Sequence, residues 1–143
     1  LSRLVQQMKI EKKYVSNFIS FAYSHYNSPD YVNPLIHQTY IYYVKNGKLP
    51  QHAIPQPVKN LSYDKNTNPI CISWEEPDEH KKIMGYAIYL NGTQIGDLQY
   101  NHDFVCKTQF TAREFNTHNK LKITVYAYNY NGEKSEKREL IIP

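Results

Sequence analysis

No stretch of this sequence approaches the roughly 20 consecutive apolar residues that a membrane-spanning helix needs. Hydrophobic residues make up 41% of the 143 positions, enough for one packed core with chain left over. No signal-peptide pattern opens the chain. It begins at Leu1 rather than methionine and is expected to be processed or truncated, so a missing signal leaves export open. Cysteine is scarce: Cys71 and Cys106 allow one bridge at most, and their spacing fits no CxxC metal or redox motif. Glycine-rich phosphate loops, HExxH, GxSxG and kinase patterns are absent. The net charge is +4, but the lysines are scattered among acidic residues. No basic stripe tracks a phosphate backbone, so no nucleic-acid partner is expected. Nothing asks for a cofactor.

What the sequence has in excess is tyrosine, 14 copies. An apolar ring with a polar tip suits half-buried strand faces and contact surfaces. Composition shifts at "GKLPQHAIPQP", where Pro50, Pro55 and Pro57 bar both helix and central strand. The expected organisation is therefore a helical or mixed segment over 1–49, a stiff proline-rich connector over 50–57 and a β unit over 58–143.

In the leading segment Leu1, Leu4, Val5 and Met8 recur at helical spacing. "VSNFISFAY" fits a strand through Ile19, Phe21 and Tyr23, or a helix through Val15, Phe18, Ile19 and Ala22; its clustered aromatics favour the strand. Asn33 as N-cap, Pro34 at the first position and Gly47 as stop predict a helix over 34–46. Its buried side is expected to carry Ile36, Tyr40, Tyr43 and Val44.

Beyond the connector the period is 2. "ICISW" sends Ile70, Ile72 and Trp74 inward, leaving Cys71 outward. "GYAIYL" does so with Tyr86, Ile88 and Leu90, and "LKITVYAY" with Leu121, Ile123, Val125 and Ala127. Asn91-Gly92 and Asn131-Gly132 predict hairpin tips, because both central residues of a type I′ turn need positive φ. The opposite parity places Tyr89, Tyr126 and Tyr128 side by side outside, with Tyr130 near the turn. A contiguous exposed patch marks a contact. Packing against the leading segment or a neighbouring domain, a protein partner, and stacking on sugar rings compete for it.

Over residues 55–143 the chain resembles a fibronectin type III domain. The resemblance is carried by Pro57, Leu61, "ICISWEEP" (Ile70–Pro77), "GYAIYLNG" (Gly85–Gly92) and "LKITVYAYNYNGEKS" (Leu121–Ser135). It implies a mainly β fold, a seven-strand antiparallel sandwich, and no catalytic residues. One departure is Leu121, where the family usually has a tyrosine that ties down the preceding loop. Residues 1–47 resemble, more weakly, the last units of a secreted bacterial glycoside-hydrolase-like (β/α) barrel. That resemblance implies a site remnant at Tyr23, His25 and Tyr26.

"EEPDEHKK" gathers Glu75, Glu76, Asp78, Glu79 and His80. Such carboxylates do acid–base work or hold a hard cation elsewhere, but solvated charges are ordinary in the loop between the second and third strands. Cys71 and Cys106 are read as two partly buried thiols, with a bridge geometrically conceivable. Asn60-Leu61-Ser62 and Asn91-Gly92-Thr93 match the glycosylation acceptor. The expected function is a non-catalytic accessory or spacer module at the carboxyl end of a secreted, carbohydrate-active protein. The alternative is a protein-interaction module of a surface or receptor-like protein. Both place the chain outside the cell or on its surface.

Overall fold

The computed structural model describes residues 34–67, 69–100, 106–112 and 120–143. The expectations for 1–33, including Tyr23, His25 and Tyr26, lie outside the described residues. Helix α1 (Pro34–Asn46) leads into seven strands: β1 (Lys59–Asp64), β2 (Ile70–Glu75), β3 (Ile83–Leu90), β4 (Thr93–Gln99), β5 (Gln109–Ala112), β6 (Leu121–Asn129) and β7 (Arg138–Ile142). They form two antiparallel sheets, ordered β1-β2-β5 and β4-β3-β6-β7. No described helix is long and apolar enough to cross a membrane.

The core lies where the alternation places it. Ile72 and Trp74 from one sheet meet Tyr86, Ile88, Ile123 and Val125 from the other, all buried. The Trp74 and Tyr86 rings meet edge to face at 5.3 Å, a geometry the ring quadrupoles favour. Ile83 and Tyr86 both enter this core although three positions apart. Strict alternation forbids that; a register slip between Ile83 and Gly85 in the β3–β6 pairing permits it. Leu121 is buried in the same cluster, so the position that the family gives to a loop-anchoring tyrosine serves here as core.

The two Asn-Gly tips differ. Asn91 and Gly92 have φ of 47° and 87°, the doubly left-handed tip that joins β3 to β4. At the second, only Gly132 is left-handed, and its N–H bonds Asn129 C=O at 2.9 Å. The Asn129 side-chain oxygen takes the N–H groups of Asn131 and Glu133, both at 3.0 Å. A neighbouring side chain thus builds the turn, and Asn131 is not forced into the left-handed region.

Helix α1 starts and stops as its signals require, with Gly47 N–H closing on Tyr43 C=O at 2.8 Å. Thr39 and Tyr43 are buried and Leu35 packs on the sandwich, so one side of the helix runs along positions four apart. Val44 was expected on that side and is 54% exposed; it lies one residue, about 100° of helical turn, beyond Tyr43. The side chains of Ile36 and Tyr40 lie outside the described residues.

Candidate functional site

The outward side of the β4-β3-β6-β7 sheet carries the tyrosines singled out by parity, and the structure divides them into a covered and an open zone. In the covered zone Met84, Ala87, Tyr128 and Tyr130 form a second buried cluster, with Leu35 of α1 and Tyr89 against it. Tyr128 and Tyr130 are therefore not exposed contact residues: they are 9% and 1% accessible. The cover comes from the chain itself. Asn129 Nδ2 donates to Ala53 C=O at 3.1 Å, and Asn131 Nδ2 to Pro50 C=O at 2.8 Å. These bonds fasten the proline-rich connector to the end of the sheet. His52 lies against Tyr130, ring centres 5.9 Å apart, and shares a 3.3 Å hydrogen bond with Thr39 of α1. Burial lowers the His52 pKa from its ordinary 6.5, and Glu133 opposes that shift. The Tyr128 hydroxyl donates to the Asp97 carboxylate on β4. Burial, and then this acceptor, hold the phenol protonated well above its usual range.

The open zone is a groove of about 590 Å³ at the other end of the sheet, containing Tyr89 and Tyr126. Adjacent outward positions on β3 and β6 bring the two rings edge to face, centres 5.6 Å apart. The Lys134 ammonium lies 4.7 Å from the Tyr89 ring centre and 5.2 Å from that of Tyr126, positions where a ring attracts a cation. It also donates to the Tyr89 hydroxyl at 2.6 Å. Lys122 and Lys137 flank the groove, and both reach one oxygen of Glu139, at 2.7 and 3.0 Å. Their bonds hold the Glu139 carboxyl below the usual carboxylate range. Three ammonium groups face one carboxylate, so lysines scattered in sequence converge in space. Sequence reasoning missed these lysines. Extending the β6 parity from Tyr126 back through Thr124 to Lys122 would have found the first.

The groove lining thus offers three ammonium groups, one carboxylate, two phenols, a threonine and an asparagine. Elsewhere, Glu76 accepts a hydrogen bond from the Tyr100 hydroxyl at 2.9 Å, Asp78 pairs with Lys59 at 2.6 Å and Glu79 with Lys82 at 3.0 Å. Three carboxylates of the acidic loop thus have partners within the chain, those of Asp78 and Glu79 at the exposed surface. Among the described residues no group of three or more His, Cys, Asp or Glu converges to hold a metal ion. Cys71 and Cys106 are two free thiols, both partly buried. Asn91 uses its side-chain oxygen to accept the Lys122 N–H at 2.9 Å, so it helps to build the groove wall.

A family model described as "Fibronectin type III domain" matches residues 55–142. It stops short of the leading segment and gives the barrel resemblance of residues 1–47 no support. No curated protein matches the chain. Among solved structures, the spore cortex lytic enzyme SleM of Clostridium perfringens is similar at 22% identity and a TM-score of 0.52, over 62% of this chain and 28% of that one. The central fibronectin-III array of RIM-binding protein is similar at 20% identity and a TM-score of 0.52, over 64% of this chain and 34% of that one. At such identities the likeness is one of fold, and this chain spans about a third or less of either protein's length. Two sheets of three and four strands, one shared core and a family match across all seven strands agree: the chain belongs to the fibronectin type III domain family over residues 55–142.

Proposed function

We propose that this chain is a non-catalytic accessory module at the carboxyl-terminal side of a secreted, carbohydrate-active bacterial protein, and that it braces the neighbouring domain. Residues 1–49 then belong to the junction with that domain, 50–57 are the connector and 58–143 the sandwich. The observation that carries this reading is the two-sidedness of α1. Leu35 packs on the sandwich and Thr39 and Tyr43 are buried, while Ile41, Tyr42 and Val44 remain 36%, 39% and 54% exposed. A helix fastened to one body with apolar residues left over on another side is suited to join two bodies. The presence of the same fold within a spore cortex lytic enzyme supports the carbohydrate-active setting. The test uses the complete gene product. Substituting Ile41→Asp and Val44→Asp is expected to lower the melting temperature of the neighbouring domain, and deleting the sandwich is expected to do the same. If that domain melts identically in all three proteins, it is not braced. Upstream sandwich repeats in place of a catalytic domain would instead favour a protein-interaction module.

A further inference from the structure

We infer that the open groove binds a carboxylate-bearing polysaccharide and recognises it through its acid groups rather than by ring stacking. Three observations converge. The faces of Tyr89 and Tyr126 are not available as stacking platforms, because they meet edge to face and the Lys134 ammonium lies over both. This disfavours a neutral sugar ring, and equally the bases of a single-stranded nucleic acid, which need open aromatic faces. The groove nevertheless holds two positive charges in excess, and no carboxylate of the described residues pairs with Lys134. Finally, Glu139 shows what the lysines accept: Lys122 and Lys137 hold one of its oxygens from two sides. A ligand carboxylate takes the place beside Lys134 and competes with Glu139 for the other two. Thr124 and the two tyrosines bring hydroxyl groups to the same lining, which suits a polymer that carries both acid and hydroxyl groups. The choice of a sugar polymer over other polyanions rests on the accessory-module reading; the charge of the ligand does not.

The probe is a set of galacturonic acid oligomers, titrated calorimetrically into the whole chain, with cello-oligomers as the neutral control. Binding is expected for the acidic set alone, weakening as salt is added. Lys134→Gln is expected to weaken it about tenfold, as loss of one charge-assisted contact does. Glu139→Gln removes the internal competitor and is expected to tighten it about threefold. Lys81→Gln changes net charge equally but lies before β3, at the far end from the groove, and leaves affinity unchanged. Each variant must keep the parent melting temperature; if Lys134→Gln does not, Lys137→Gln takes its place, with weaker binding again expected. The inference fails if folded protein binds no acidic oligomer at low salt, or if Lys81→Gln weakens binding as much as Lys134→Gln. It also fails if a thymidylate oligomer of equal charge binds as tightly. None of these outcomes touches the bracing role, which is read from melting of the complete protein.

Discussion

Inside the sandwich the hydroxyl groups of Tyr86 and Tyr100 lie 2.5 Å apart, and Tyr100 donates onward to the Glu76 carboxylate at 2.9 Å. Tyr100 has one proton and gives it to Glu76, so Tyr86 is the donor within the pair. His80 stacks on Tyr100 with ring centres 6.1 Å apart, so the chain of contacts runs from the core out to the β2–β3 connection.

Alkali should break this chain of contacts. Burial raises both phenols above their ordinary 10.0, and Tyr128 likewise. In the unfolded chain these tyrosines ionise near 10, so above that pH the unfolded state binds fewer protons than the native one. Stability is fully present below pH 10 and falls as pH rises beyond it. Phenolate absorbance and circular dichroism, followed together from neutral to strongly alkaline pH, should show a step in which these tyrosines ionise only as the sheets unfold. Smooth titration with native dichroism would contradict this. Tyr100→Phe should cost about 1–3 kcal/mol at pH 7, because it strands the buried Tyr86 hydroxyl and takes a hydrogen bond from Glu76.

Gly85 is required for space. A Cβ there would lie 2.2 Å from the Leu98 carbonyl oxygen and 2.9 Å from the Tyr128 hydroxyl. The first is backbone within the β3–β4 pairing and has no room to retreat. Gly85→Ala should destabilise by about 1–3 kcal/mol in urea titration, the usual cost of overpacking. An unchanged midpoint would mean that the β3 bulge absorbs the methyl group.

Cys106 should be chemically silent in the native protein. Burial, with the nearby Glu76 charge, pushes its thiol up to about 12 from 9.0. At pH 8 roughly one molecule in ten thousand then carries the reactive thiolate. Iodoacetamide should label this residue only after unfolding, as peptide mapping will show. Rapid native labelling of Cys106 would reveal an opening of the sandwich next to it.

The seam between α1 and the connector should weaken in acid. Burial lowers the His52 pKa in the closed seam, whereas in the unfolded seam the ring protonates near 6.5. The open form therefore binds the extra proton, and the stability contributed by the neutral ring is lost as pH falls below that value. Glu133, which favours the charged ring, moderates the loss. Amide exchange across residues 34–46 should quicken below about pH 6 relative to the sandwich strands, and His52→Gln should flatten the difference. Equal pH dependence in parent and variant would remove His52 from the seam's control.

Much of the architecture was legible in the residues. Alternation in "ICISW", "GYAIYL" and "LKITVYAY" assigned the inward set, since a strand has only two faces and water sorts them. Pro34 and Gly47 bounded α1, because φ preferences act within a few residues. Asn91-Gly92 gave its hairpin for the same local reason. The parity that sent Tyr89, Tyr126 and Tyr128 outward also held, but outward from a sheet is not the same as exposed. Whether a second layer covers a face depends on where a helix some forty to ninety residues earlier comes to rest. So Tyr128 and Tyr130 went under α1 and the connector, while Tyr89 and Tyr126 stayed at an open groove.

By itself the sequence determined the sandwich, the Asn91-Gly92 hairpin and the inward sets of β2 and β6, because those follow from periods and turn preferences that neighbouring residues enforce. Only the tertiary structure decided which tyrosines are covered, which lysines converge, and that Lys134 lies over two rings. These depend on contacts between segments far apart in the chain, and no local pattern specifies such distances.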